Sequence, residues 1–297
     1  MFSVGQARRL RGAAGDPLPT VFQAFEQKKI TLRRGQLGLF VAGPGTGKSA
    51  LGLTYAVKSG ESGVYISPDS DAFTQVQRAW SIATNRSMDE GAAFALGKSN
   101  EDLELVSQLP LRFNFEASPS LKDIERTVYG YEELFGEFPH LIFIDNITNV
   151  RSGIQDNDDD PFSGLEGLLD YLHTMARTTQ ACVIGMHHVN GPYNDGDKPI
   201  PLSGVKGQIG RVPEMILTIF KSGPGRIGVS VVKNRGSFAD ASGETFAELV
   251  FDGDTMTIAD PEIDPEPYFP VPEAQSTQDE AQTVSVDLGP SDDELEF

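Results

Sequence analysis

The sequence predicts an α/β fold: a mostly parallel central sheet, antiparallel strands toward the carboxyl-terminal side, and a disordered acidic tail. Three observations carry that prediction. From Thr31 onward short apolar runs alternate with helix-length stretches; a glycine loop, Ala42–Ala50 (AGPGTGKSA), directly follows one such run; and after Pro213 the apolar runs are joined by Gly-rich turns without helical pattern between them. Strands alternating with helices imply right-handed parallel crossovers, whereas runs joined by tight turns suit an antiparallel sheet edge.

In chain order, residues 1 to 30 form an N-terminal arm with a basic cluster (Arg8, Arg9, Arg11) and a Pro-bounded segment, PLPTVFQAFEQKK, of one-helix length. The arm is too small to be a domain. Residues 31 to 259 form a single domain, in which LGLFVAG, GVYIS, LRFNF, HLIFIDN and ACVIGM read as buried parallel strands. Stretches such as SLKDIERTVYGYEELFGEF separate them as helices, and EMILTIFKSG, RIGVSVVKN and FAELVFDGDTMTI read as the antiparallel extension. Residues 260 to 297 are rich in Pro, Glu, Asp, Ser and Gln, the composition of a disordered tail.

Composition bounds the function. With 39% hydrophobic and 9% aromatic residues the chain is an ordinary globular one, and no apolar run reaches the roughly 18 residues of a membrane span. The opening MFSVGQARRLRG lacks the apolar core of a secretory signal, so a cytoplasmic protein without membrane contact is expected. The single cysteine, Cys182, sits in the apolar run ACVIGM and reads as a small packed hydrophobe. A net charge of −19 argues against nucleic acid, but from Phe251 onward there are 14 acidic residues and no Lys or Arg. Residues 1 to 250 then hold 24 basic against 29 acidic residues, so the folded part is nearly balanced at −5.

The glycine loop fits the phosphate-binding pattern G-x-x-x-x-G-K-S/T with Ala42 at its first position. Gly43, Pro44, Gly45, Thr46, Gly47, Lys48, Ser49 and Ala50 form the nucleotide cradle: glycines aim backbone N–H groups at phosphate, Lys48 is read as a surface-loop cation reaching the β and γ phosphates of ATP, and Ser49 holds Mg²⁺. Asp145 ends the strand HLIFIDN, where the carboxylate that holds the Mg²⁺ water shell of such sites stands. The strand GVYIS is followed by Asp69 and Asp71, either of which is placed to orient or deprotonate the attacking water. No second cation lies near the loop in sequence, so a neighbouring subunit is expected to supply one.

From about Leu18 to Gly253 these motifs resemble the RecA-like ATPase core of DnaB-type replicative helicases and the related RepA-like hexameric helicases, a phage- or plasmid-type replication or recombination ATPase. The resemblance implies a RecA-like P-loop fold, residence in a bacterial or phage-infected cytoplasm, and a homo-oligomeric ring, a hexamer in the family. In that family the carboxylate after the second strand is ordinarily Glu; YISPDSDAFTQVQR puts the shorter Asp69 there. The polar γ-phosphate sensor falls on His188 of VIGMHHVNG, with His187 beside it. SVVKNRGSFADASGETFAELVFDG matches the family's last motif, which makes Lys233 and Arg235 the cations that reach a neighbour's nucleotide.

RecA-like rings contact single-stranded or branched DNA through two loops, here NVRSGIQDNDDDPFSG and NGPYNDGDKPIPLSGVKGQIGRV. The second offers Lys198, Lys206 and Arg211 to the DNA backbone. The first carries Asp156, Asp158, Asp159 and Asp160, which repel DNA unless they turn away or bind a divalent cation. Three functions follow: a DNA-stimulated motor ATPase, a RecA-like ATPase regulating protein partners, or a metal-dependent DNA nuclease. The tail, ending PSDDELEF, has the pattern of an acidic segment that docks on a replication partner or folds back over the basic loop. The family's replicative members also carry an N-terminal domain for primase contact, which the 1 to 30 arm is too short to supply.

Overall fold

The computed structural model describes residues 1–151 and 163–261. Every apolar run singled out in the sequence forms strand, the last of them splitting into two: β1 (Leu37–Ala42), β2 (Gly63–Ile66), β3 (Leu111–Asn114), β4 (Leu141–Ile144), β5 (Cys182–His187), β6 (Met215–Gly223), β7 (Arg226–Asn234), β8 (Phe246–Asp252) and β9 (Thr257–Ala259). They form one sheet in the order β3-β2-β4-β5-β1-β6-β7-β8-β9. Pairing is parallel from β3 through β1 and on to β6, then antiparallel through β9. Thus β6, expected in the antiparallel extension, is the hinge between the two halves: it runs parallel to β1 on one side and antiparallel to β7 on the other. No tight turn leads into it, since the connection after β5 carries the chain across the sheet's end first.

The strands in the middle of the sheet are apolar on both faces because helices cover both. Phe40, Tyr65, Phe143 and Ile184 face one core with α3 (Lys48–Lys58) and α4 (Ala72–Thr84), through Leu51, Val57, Ala79 and Ile82. Their strand neighbours Leu39, Val64, Ile142 and Val183 face a second core with α7 (Leu121–Phe135) and α8 (Ser163–Thr179), through Ile124, Val128, Leu169 and Leu172. Helix α7 is fixed at its start by a capping box between Ser120 and Asp123 and at its end by Gly136 in the left-handed region (φ 78°). Two short helices, α5 (Met88–Ala95) and α6 (Leu103–Ser107), lie between α4 and β3.

The first thirty residues split into two unlike parts. Helix α1 (Val4–Leu10), capped by Ser3 and Gln6, buries no residue. Helix α2 (Gln23–Gln27) belongs to the first core: Phe22 and Phe25 are 1% and 2% exposed and meet edge to face at 5.0 Å, with Leu18 and Ile30 beside them. Among the described residues no helix is long and apolar enough to cross a membrane. The Asp156–Asp160 run and the tail beyond Pro261 lie outside the described residues.

Phe22→Ala should therefore cost about 3–5 kcal/mol, the range for removing a buried ring. Deleting residues 1 to 10 should leave the urea midpoint unchanged; equal midpoints for wild type and Phe22→Ala would show that the α2 segment does not belong to the cooperative core.

Candidate nucleotide site

The parallel strands all deliver their carboxyl ends to one edge, and the glycine loop leaves β1 there. Gly47, at φ 97°, takes a backbone angle open to glycine and starts α3. A side chain at Gly43 would overlap the carbonyl oxygen of Asn194, and one at Gly196 would come within 2.5 Å of Thr46 Oγ1. The back of the loop is thus braced by the segment that follows β5. Residues 43 to 50 line a cavity of about 420 Å³ together with Asp69, Arg78, His188, Phe251 and Met256.

Lys48 is not the surface-loop cation that sequence suggests. It is 9% exposed, and its Nζ lies 3.4 Å from Asp145 Oδ1, itself on a residue 3% exposed. Asp145 follows β4 directly and its other oxygen accepts a 2.9 Å hydrogen bond from Tyr65 Oη of β2. Burial, then the Asp145 charge, pushes the Tyr65 phenol well above its ordinary pKa, so Tyr65 stays a donor. Ser49 stands in the first turn of α3, next to Lys48.

Asp69 and Asp71 part company. Asp69 lines the cavity, accepting from Asn149 Nδ2 and, at 3.3 Å, from Asn146 Nδ2. Asp71 caps α4, accepting from the Thr74 backbone N–H at 2.9 Å, a bond that lowers its pKa. His188 also lines the cavity, and Asn146 Nδ2 lies 2.5 Å from its Nε2. Burial, and then the charges of Lys48 and Lys206, hold His188 below the ordinary imidazole pKa. His187 points into the protein, donating from Nε2 to the Lys206 carbonyl at 2.9 Å, and burial pushes it down to about 4.

The other sequence candidates stand apart from the cavity. Lys233 Nζ donates to the carbonyls of Gly210 and Arg211, and Arg235 donates to the Arg211 carbonyl at 2.5 Å and lies 3.9 Å from Glu214. Lys198 sits over the Tyr193 ring at 5.2 Å; Arg211 is occupied by Glu166 at 2.8 Å and Asp170 at 3.6 Å; the Lys206 carbonyl holds His187.

Arg78 is the residue that sequence reading missed. It brings a second cation of the same chain to the cavity, where sequence distance suggested none, and its Nε is buried without a hydrogen-bond partner among the described residues. A signal was present: Arg78 lies three residues after buried Gln75 and four before buried Ile82, so it occupies the inward face of α4. Phe251 and Met256, from the far antiparallel edge, were likewise invisible to a local pattern; Phe251 reaches within van der Waals contact of where a Gly47 side chain would stand.

A sheet of this topology with a phosphate loop, a buried Lys–Asp pair and a polar strand end at one cavity defines a P-loop ATPase of RecA-like fold. A family model described as an AAA domain matches residues 28–192. The chain belongs to that AAA-domain family, and the Gene 65 protein of Mycobacterium phage L5 is 54% identical to it over 266 residues, spanning 88% of this chain and 99% of that protein. The Gene 65 protein of Mycobacterium phage D29 is 54% identical over 228 residues, 75% of this chain and 98% of that one. Among solved structures, one described as an ATPase domain matches with a TM-score of 0.71 at 14% identity, covering 86% of this chain and 95% of that chain. A DnaB-like replicative helicase, described with its interactions with primase, matches at 0.69 and 16% identity over 82% and 61% of the two chains. The RadB recombinase matches at 0.54 and 18% over 82% and 99%. The resemblance to DnaB-type ATPase cores is borne out as a likeness of fold.

The low pKa of His187 predicts a pH dependence of stability. Facing Lys48, Lys206 and His188, it stays neutral when folded down to about pH 4, whereas the unfolded chain takes up a proton near 6.5. Stability from this group is therefore full above pH 6.5 and lost as pH falls toward 4, by up to roughly 3 kcal/mol. In urea titrations, His187→Gln should flatten that part of the profile; an unchanged slope between pH 6.5 and 4 would refute it.

Proposed function

We propose that the chain is a Mg²⁺-dependent, nucleic-acid-stimulated ATPase acting on DNA, a helicase- or recombinase-like motor of replication or recombination. The observation that carries this reading is the meeting of Lys48, Asp69 and His188 around one phosphate-loop cavity, with Asp145 buried behind Lys48 at 3.4 Å, while the paired cations Lys233 and Arg235 stand off it. The cavity's own cations are Lys48 and Arg78, and a further cation pair held away from its own site suits a ring in which each subunit completes its neighbour's.

The residues fit the nucleotide and the metal. Thr46 Oγ1 is buried without a partner among the described residues, and the loop backbone supplies donors to phosphate. One carboxylate, Asp145, and one hydroxyl, Ser49, form the sparse ligand set that Mg²⁺ shares with phosphate oxygens and water. Bound there, Mg²⁺ would neutralise charge developing on the phosphates. Lys48, already buried and held only by its long contact with Asp145, is placed to shift toward a phosphate. Asp69, held by Asn146 and Asn149, orients the attacking water, and neutral His188 shares the Asn146 amide with it, so that occupancy near one is felt at the other. Arg78 lies with Phe251 and Met256 around the same cavity, a guanidinium and an apolar wall suited to the nucleobase or its phosphates.

Lys198 and Lys206 follow β5 in the segment that braces the phosphate loop, which supports a DNA contact coupled to nucleotide state. Arg211 must first leave Glu166 and Asp170 to take part.

ATP turnover with and without single-stranded DNA tests the reading, beside a cleavage gel run with Mg²⁺ or Mn²⁺ and no ATP. Stimulated turnover without cleavage is expected; turnover indifferent to DNA would favour a regulator of protein partners, and strand cleavage a nuclease. Lys48→Ala and Asp145→Ala should abolish turnover, and Asp69→Asn should bind nucleotide yet hydrolyse slowly.

Sharing of the site has its own test. Arg235→Ala should lose about 10³-fold in turnover, the scale for removing a trans arginine. Mixed with Lys48→Ala subunits it should regain activity, and absence of rescue under proven subunit exchange would overturn the shared site.

A further inference from the structure

The described chain leaves the fold at a fixed point. Asp260 accepts hydrogen bonds from the backbone N–H groups of Gln23 and Ala24, both at 2.7 Å, at the start of α2. The opposite end of that five-residue helix, with Lys28 and Lys29 after it, borders an apolar pocket of about 290 Å³ floored by Val229 and Val231 of β7 and walled by Phe238. Phe238 is 63% exposed, and neither lysine has an ion-pair partner among the described residues. A second cavity of about 330 Å³ joins the exit point to this pocket, since Asp260 and Pro261 line it together with Gln27 and Lys28.

The sequence that follows Pro261 is EIDPEPYFPVPE, residues 262 to 273. It holds four acidic residues, Glu262, Asp264, Glu266 and Glu273, no basic one, and an aromatic pair, Tyr268 and Phe269, between Pro267 and Pro270. Prolines restrict the backbone beforehand, so seating this segment costs less conformational entropy than seating an ordinary one. Its reach is ample: eight residues from Pro261 to Phe269 span up to about 25 Å extended, and the helix to be passed is only about 7 Å long. The tether also makes docking intramolecular, at an effective concentration in the millimolar range or so.

We propose that residues 262 to 273 dock on their own chain in the α2–β7 pocket, with Tyr268 and Phe269 against Phe238 and the accessible edge of Val231 and the flanking carboxylates at Lys28 and Lys29. The match is one of both chemistries: an apolar floor rimmed by unpaired cations meets an aromatic pair rimmed by acids. The docked segment covers the exposed Phe238 ring and fixes where the rest of the acidic tail sets out, on the face of α2 and β7 and away from the nucleotide cavity.

The test uses the full-length protein with Phe269 replaced by the photocrosslinking residue p-benzoylphenylalanine, followed by mapping of crosslinked peptides. Crosslinks to β7 or to the Phe238 peptide are expected, within one chain when light and heavy isotope-labelled proteins are mixed. Their yield should fall about fivefold or more in Lys28→Glu with Lys29→Glu, or in ~1 M salt. Adding Glu266→Lys and Glu273→Lys should restore it, which also shows that the reversed lysines did not unfold the pocket. Crosslinks that map elsewhere, that join light to heavy chains, or that ignore the lysine reversals would overturn the proposal.

Discussion

Parallel register across four strands is the constraint on which the site depends. Ile66 of β2 is level with Ile144 of β4, Ile144 with Gly185 of β5, and Val41 of β1 with His187. The residues just past those positions, the phosphate loop, Asp69, Asp145 and His188, have no choice but to emerge together at one edge. Parallel pairing requires a crossover between each pair of strands, and helices packed on both faces bury the crossovers and leave the sheet's end open to ligand. Gly185 keeps the strands close there, because a side chain would meet Ile147 at 2.8 Å and Leu39 at 3.0 Å.

On that frame stands a buried charge pair. Withdrawing an ammonium and a carboxylate from water costs several kcal/mol per ion, a penalty offset only when each ion is paired and its remaining valences are hydrogen-bonded. Tyr65 supplies the extra bond to Asp145 and holds its proton because burial raises its pKa. Lys48 has no comparable second bond among the described residues, so its pairing at 3.4 Å is the looser side of the cluster. A cation held by one long contact is easily recruited by a phosphate, and the same contact holds the Asp145 carboxylate in place. Stability and chemistry are thus drawn from one interaction.

The segment after β5 serves two surfaces at once. Its Tyr193–Gly196 portion presses on the back of the phosphate loop so closely that Gly43 and Gly196 cannot carry side chains, while Lys198 lies over the Tyr193 ring at its outer side. A shift in the loop cannot be absorbed locally, since packed contacts transmit displacement. The Lys206 carbonyl, further along the segment, holds the imidazole of His187, next to the cavity's His188. Two separate attachments therefore tie this segment to the nucleotide edge.

Much of this was legible in sequence. Apolar runs located the described strands, because burial on both faces demands them, and the glycine loop marked the phosphate cradle, because only glycine readily takes the φ of Gly47. Asp145 and His188 were legible as strand ends. What sequence left open was decided by contacts between distant segments. Asp69 and Asp71 are two residues apart and alike in composition of surroundings, yet one reaches the cavity and the other is consumed by the Thr74 backbone, a distinction made by where α4 begins. Lys48 looks like a loop cation until β4 and β2 close over it with Asp145 and Tyr65. Arg78, Phe251 and Met256 reach the cavity from a helix and a hairpin that no local pattern relates to the loop, because their meeting depends on how helix and sheet edge pack rather than on spacing along the chain. Local propensity and burial period are written residue by residue and so determined the elements; the partners of each charge are set by packing, which only the tertiary structure decides.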